Sequence, residues 1–448
     1  MHIDGLWRSR GYGWALRIEG DVYRISHLSR GHCVLAEEGS RAQFERSFDR
    51  IALQEHTRMT LHQAGDLTRY TFQRFAPPDI QTVAPGAVRD PLANFETLWE
   101  TFDEHYAFFD LHRVDWNETG RAMRSRVTAT TTEEQLLKLF SEMLLPLEDG
   151  HVSLSTGSHV IQTLKAMDVR EAMRRAFDMP TPRVSPRSTV DAVSSRIGTV
   201  LLDRFAGSQC KQACNGIVSW CHFTPRIGYL SVLRLFGFAA SEAARTANDL
   251  PLGRPDVAAF LEADLAALED ALDEVMTDLA DCDALILDLR INGGGFDRAG
   301  MAIANRFADT ECVAFTKRAR DGAGLTQEQA MRVTPRAAPR FTKPVYVMTS
   351  PLCVSAGEIC VLSLKALPQV RTIGESTAGM LSDNLNKVLP NGWTYSLSNE
   401  IYTAADGGVY EGCGIAPDVA ILATDASRFV ETMRQSLQRT VAMAEGAG

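Results

Sequence analysis

Ser355 stands in "PLCVSAGEICVLSLKAL", where a β-type run from Val345 to Ser350 gives way to a helix-type run from 356 to 367. A serine at a strand-to-helix junction, followed by the small residues Ala356 and Gly357, projects its hydroxyl toward the edge where α/β sheets open their crevices. The N–H of Ala356 would then lie beside a tetrahedral intermediate formed on Ser355. The plain alternative is an N-cap serine with no further role. A second stretch, "LDLRINGGGFDRAG", ends a buried strand at Asp288-Leu289-Arg290 and runs through Asn292 and three glycines into a helix. Glycines there let backbone N–H groups of Gly294 and Gly295 face a crevice unobstructed by Cβ atoms, as a phosphate site or an oxyanion hole requires. The spacing is neither G-x-G-x-x-G nor a P-loop, so a nucleotide site lacks its signature, and a purely structural turn stays open.

A hydroxyl nucleophile needs a base. Lysine would serve, yet the segment after Ser355 has none between Lys365 and Lys387. Among ten histidines, His151 in "LLPLEDGHVSLS" stands out, since it follows an acidic turn and begins a strand-like run. An isolated histidine is more often structural than catalytic, so its spacing alone does not decide.

The elements that must hold these residues are legible as blocks. Residues 1–75 alternate with period two between short polar breaks, which predicts a small antiparallel β module. Residues 76–91 are proline-rich and read as a linker. Residues 92–150 read as a helical subdomain: Phe95, Leu98, Trp99, Phe102 and Tyr106 share one helix face, and Thr132 with Gln135 has capping-box spacing. Residues 178–188 carry three prolines and read as a surface loop. From 151 to 430 apolar strands (226–235, 284–290, 344–350) alternate with helices (256–281, 297–309, 356–367), which predicts β-α units and a mainly parallel sheet. Asn391-Gly392 and Asp406-Gly407-Gly408 mark turns. Residues 431–448 form a terminal helix or tail.

The chain has 448 residues and a formal net charge of -10, which disfavours nucleic acid or an anionic membrane as the main partner. No apolar run approaches a membrane span, and no signal peptide is recognisable at "MHIDGLWRSRGYGW", so a cytoplasmic location is expected. Nine cysteines, an odd number, suit reduced thiols. Cys210, Cys214, Cys221 and His222 lack zinc-knuckle spacing, so no metal and no cofactor are expected.

Taken in order, "LEDGHVSL", "IGYLSVLRL", "ALILDLRINGGG", "KPVYVMTSPLCVSAGEI", "TIGESTAG" and "EGCGIAPDV" resemble the tail-specific (C-terminal processing) and tricorn-core family of serine peptidases, over about residues 92 to 422. The resemblance implies a crotonase-like/ClpP-like β-α core within an α/β fold. It also implies Ser355 as nucleophile in the motif Ser355-Ala356-Gly357-Glu358. Tail-specific members use a lysine shortly after the nucleophile; here Met380 stands in its place, and a thioether cannot serve as base. The tricorn-like branch uses a histidine and a late glutamate, which match His151 and Glu411. A peptide or protein substrate follows, with Ala356 and Gly294 or Gly295 as oxyanion donors. The tricorn proteins carry a serine before the histidine, where this chain has Gly150, so Asp149 or Ser153 would take over any relay. Glu375 and Asp383 compete with Glu411 as the supporting carboxylate. No PDZ domain is recognisable between His151 and the core. An inactive binding protein on the same scaffold, an esterase with the same triad and an acyl-CoA enzyme are the alternative readings, and a homo-oligomer stays open.

Overall fold

The computed structural model describes residues 3–63, 66–76, 81–164, 168–176, 210–239 and 255–446. The loop expected over 178–188 and part of the expected linker lie outside these residues. Eight strands between Gly5 and Val83 form one sheet in which Gly5–Ser9 pairs with both Trp14–Glu19 and Arg69–Arg74. Its apolar face buries Trp7, Leu16, Tyr23, Phe44 and Phe72. The helix Pro91–His105 starts at an Asp90 cap with proline in its first turn, and Phe95, Leu98 and Phe102 are buried along it. Thr132 and Gln135 form the expected capping box of helix Glu133–Leu144.

The larger sheet has seven strands. Ile227–Val232, Ala284–Asp288, Val345–Thr349, Val370–Gly374 and Val419–Ala420 run parallel in that order, with Lys211–Ala213 and Val218–His222 added antiparallel at one edge. The inner strands are wholly buried, since Pro255–Asp278, Asp297–Asn305 and Ala356–Lys365 cover one face and Phe429–Gly446 the other. The fold is therefore mixed α/β.

Two smaller sheets bring distant segments to the mouth of this one. Ser153–Ser155 pairs with Thr394–Ser398, whose other edge pairs with Asn384–Val388 around the Asn391-Gly392 turn. Cys312–Asp321 pairs with Gln329–Val333 and Glu400–Ala404. Apolar packing crosses the sequence blocks: Trp7, Phe102, Leu154, Leu385 and Tyr395 belong to one continuous core. No helix among the described residues is long and apolar enough to cross a membrane.

One expectation changes. Cys210 and Cys221 are joined in a disulfide across the hairpin of Lys211–Ala213 and Val218–His222, where reduced thiols were expected. The hairpin brings their Cα atoms to 4.6 Å, which the spacing alone does not reveal.

Candidate active site

The turn after Val345–Thr349 places Ser355 at φ 55° and ψ −130°, a backbone region that costs a non-glycine residue about 1–3 kcal/mol. Two buried side chains hold it there. Asn292 donates from Nδ2 to the Val232 carbonyl at 2.9 Å and accepts the Gly294 N–H on Oδ1 at 2.9 Å. Its carbonyl takes the Val354 N–H at 3.1 Å. The glycine turn is thereby pressed onto the serine: a Cβ on Gly294 would lie 2.8 Å from Ser355 Cβ. Gly294 thus has its N–H engaged by Asn292. No acceptor among the described residues takes the N–H of Gly295 or Ala356.

The other holding residue is Glu358, three positions into the motif. Its fully buried carboxylate accepts Ser355 N–H at 3.2 Å, Thr377 Oγ1–H at 2.6 Å, and the N–H groups of Gly379 and Met380 at 2.7 Å each. Burial pushes this carboxyl up to about 7, against the pull of those donors. Neither Asn292 nor Glu358 was singled out for this role from the sequence, although both lie inside the quoted motifs.

The His151 turn meets this one through Met380. A Cβ on Gly150 would fall 1.9 Å from Met380 Cε and 2.5 Å from its sulfur, so the thioether occupies the space a side chain at 150 would need. The contact path from Ser355 to His151 therefore runs through Glu358, Met380 and Gly150. His151 is buried, its Nδ1 has no hydrogen-bond partner, and no hydrogen bond joins its ring to the Ser355 hydroxyl. Burial pulls its pKa below the ordinary histidine value, opposed by the negative charges of Asp149 and then Asp383.

The carboxylates divide by place. Asp149 accepts the His151 N–H at 2.8 Å, the Ser398 hydroxyl at 3.0 Å and the Tyr106 hydroxyl at 3.0 Å. Glu411 accepts the N–H groups of Leu381 and Ser382, both at 2.8 Å. Burial, then repulsion from Asp149, pushes the Glu411 carboxyl well above the usual carboxylate range, with Glu358 adding to the repulsion. Glu411 therefore sits between the two turns. Asp383 pairs with Lys317 at 3.4 Å. Glu375 turns away: it binds the N–H groups of Ala423 and Thr424 at 3.0 and 2.7 Å and anchors the chain beyond the sheet edge. Ser153 pairs with the Ser396 hydroxyl at 2.8 Å, and Ser396 caps the His151 carbonyl at 2.7 Å.

Beside Asp383 lies a buried polar cluster that no sequence signal marked. Lys317 reaches Glu400 at 2.8 Å and the Tyr402 hydroxyl at 3.3 Å, and Tyr402 donates to Asp297 at 2.8 Å. Tyr12 of the amino-terminal sheet closes the cluster with a hydrogen bond to Glu400. Burial works against the Lys317 charge, but Glu400 and Asp383 outweigh it and raise its pKa, so this lysine is a poor base.

Among the described residues, His222, Asp281 and Cys282 could together ligate a metal, with donor atoms within 4.8 Å of one another. They lie where strand Ala284–Asp288 begins, the opposite end of the sheet from Ser355.

The mixed α/β fold thus brings a strained serine, a glycine turn and a buried histidine into one connected set of contacts. The model of Peptidase family S41 matches residues 256–421, and that of the Tricorn protease C1 domain matches residues 88–145. Over these segments the chain is similar to tail-specific/tricorn-like peptidases. It is 28% identical over 172 residues to the carboxy-terminal processing protease CtpA of Bacillus subtilis (strain 168), covering 38% of this chain. The match spans about a third (35%) of that relative's length. A solved structure from Parabacteroides merdae ATCC 43184 shares its fold with a TM-score of 0.59 at 22% identity, covering 80% of this chain and 97% of that one. Mature CPAF complexed with lactacystin matches with a TM-score of 0.52 at 10% identity, covering 80% and 99%.

Proposed function

We propose that this chain is a serine peptidase that hydrolyses peptide bonds through an acyl-enzyme on Ser355, on a crotonase-like/ClpP-like core. Ser355 Oγ attacks the scissile carbonyl carbon and its proton passes to His151. The C–N bond then breaks, and His151 returns the proton to the leaving amine. Water, deprotonated by the same histidine, releases the acid. The N–H groups of Ala356 and Gly295 face the developing oxyanion, a contribution of about 3–4 kcal/mol for one good donor. Glu411 braces the network through the 381–382 segment. The observation that carries this reading is the Ser355 turn itself: a strained, part-buried serine, backed by glycine and linked by contacts to a buried histidine.

A neutral imidazole suits the role of base because burial already lowers the His151 pKa. Fluorophosphonate labelling with and without Ser355→Ala tests the reading. Labelling at Ser355 and loss of peptide turnover by about 10³-fold or more in the variant are expected. An unlabelled wild-type chain would favour a binding protein on this scaffold, and full activity in the variant would remove Ser355 as nucleophile.

A further inference from the structure

Two buried carboxyl groups bear on the His151 turn, Asp149 within it and Glu411 facing Asp149, and their hydrogen bonds assign them different work. Glu411 spends its Oε2 on the N–H groups of Leu381 and Ser382, so it holds the segment leading to Asp383. Asp149 lies in the same turn as the histidine. Three donors converge on its carboxylate: the His151 N–H at 2.8 Å, the Ser398 hydroxyl at 3.0 Å and the Tyr106 hydroxyl at 3.0 Å. Thr163 fixes the same residue through its backbone, accepting the Asp149 N–H at 3.1 Å.

Donated hydrogen bonds favour the charged form of a carboxylate, so the donor sets of the two groups tell them apart. Asp149 has three such donors against two for Glu411, and Glu411 also faces Glu358. Burial and Asp149 both push the Glu411 carboxyl up, whereas Asp149 is the foremost charge that opposes burial at His151.

We propose that Asp149, and not Glu411, supplies the negative charge that stabilises the His151 imidazolium during turnover, while Glu411 acts as a hydrogen-bond brace. Asp149 is thus a positioning residue: it holds the histidine's backbone and acts on the ring through space, since Nδ1 carries no partner. The inference rests on reading Ser355 and His151 as nucleophile and base.

Among the described residues, other titratable groups also bear on this turn. Asp383 comes from the segment before Asn384–Val388, with Lys317 behind it. Tyr106 follows the helix Pro91–His105. The partly buried His112 and the exposed Glu148 also come near Asp149; burial lowers the His112 pKa, and Asp149 and then Glu148 oppose it.

Asp149→Asn and Glu411→Gln keep the shape and one acceptor oxygen of each residue, so they separate charge from geometry. The His151 pKa is read by NMR titration of the full chain, with the resonance assigned from His151→Gln, beside a pH profile of kcat on a fluorogenic peptide. Asp149→Asn is expected to lower the His151 pKa by about one pH unit and kcat by about 10²–10⁴-fold, with KM little changed. Glu411→Gln is expected to leave that pKa within about 0.3 unit and to cost less than about tenfold in kcat. A drop of about one unit in Glu411→Gln, or none in Asp149→Asn, overturns the assignment. Either result in Glu411→Gln decides the matter should Asp149→Asn fail to fold. Ser355→Ala separates the two levels. If it keeps turnover, the nucleophile reading fails, yet the titration still decides where the charge sits.

Discussion

The three glycines of "NGGGF" are not equivalent, and an alanine scan across them tests the serine turn directly. Gly294 has φ +77°, and a Cβ there would meet Ser355 Cβ and the Val354 carbonyl oxygen, each at 2.8 Å. Gly295 has φ +145°, and its Cβ would lie 2.5 Å from the Leu235 carbonyl carbon. Gly293 has nothing nearer than the Leu233 oxygen at 4.0 Å. Left-handed backbone costs an alanine about 1–2 kcal/mol, and a contact with backbone that cannot swing aside adds about 1–3 kcal/mol. Gly294→Ala and Gly295→Ala should therefore lose roughly 2–4 kcal/mol of stability, and Gly293→Ala less than about 1 kcal/mol.

Activity separates the first two. At Gly294 the intruding methyl presses on Ser355 itself, and displacing a reacting atom by up to an ångström costs about 10²-fold. At Gly295 it presses on Leu235 and spares Ser355, so activity should fall beyond the stability effect only as far as the Gly295 N–H leaves its proposed oxyanion position, up to about 10²-fold. Denaturant midpoints and kcat/KM on a fluorogenic peptide read both quantities. The reasoning fails if Gly293→Ala is as harmful as Gly294→Ala, or if Gly294→Ala keeps full kcat/KM.

Because burial lowers the His151 pKa, the neutral base persists to lower pH than a free histidine allows, and kcat/KM should fall only below about pH 6.5. The same sign makes His151 stabilising at neutral pH, with that contribution lost as pH falls through its depressed folded-state pKa. A kcat/KM limb centred above pH 7 would contradict this. Gly150→Ser should lose about tenfold or more in activity, because its Cβ meets Met380, and Gly150→Ser/Met380→Ala should recover most of it. Purely additive losses in the double variant would show that the two positions do not share the space.

The parallel sheet was legible because its strands are continuously apolar and bounded by helices with clear periodicity. The strand Cys312–Asp321 was not, since "TKRARD" reads as a solvated run, while the fold buries Lys317 within it. Lys317 finds Asp383 and Glu400 at separations of 66 and 83 residues, and no local pattern encodes such a meeting. Asp149 was named as a substitute relay, but its donors Tyr106 and Ser398 lie 43 and 249 residues away. Ser355 differs, for strand, small residues and glutamate are all local to it. Glu358 was quoted as part of that motif, and only its four bonding partners reveal it as the brace of the turn.

Gly150 departs from the tricorn-like pattern at the position before the histidine, and Met380 departs from the tail-specific pattern at the lysine position. In the fold they are one arrangement, because the methionine side chain lies where a serine at 150 would begin. A lysine at 380 would bring a cation to the turn that carries His151, between Glu358 and Asp149, and would oppose protonation of the imidazole. A thioether adds no charge there, so the balance at His151 is left to burial, Asp149 and Asp383. The nearby lysine, Lys317, is committed to Asp383 and Glu400 and gives no base in exchange. The Gly150–Met380 contact and the buried histidine thus belong to one packing arrangement, and the proposed division of work between Asp149 and Glu411 depends on it.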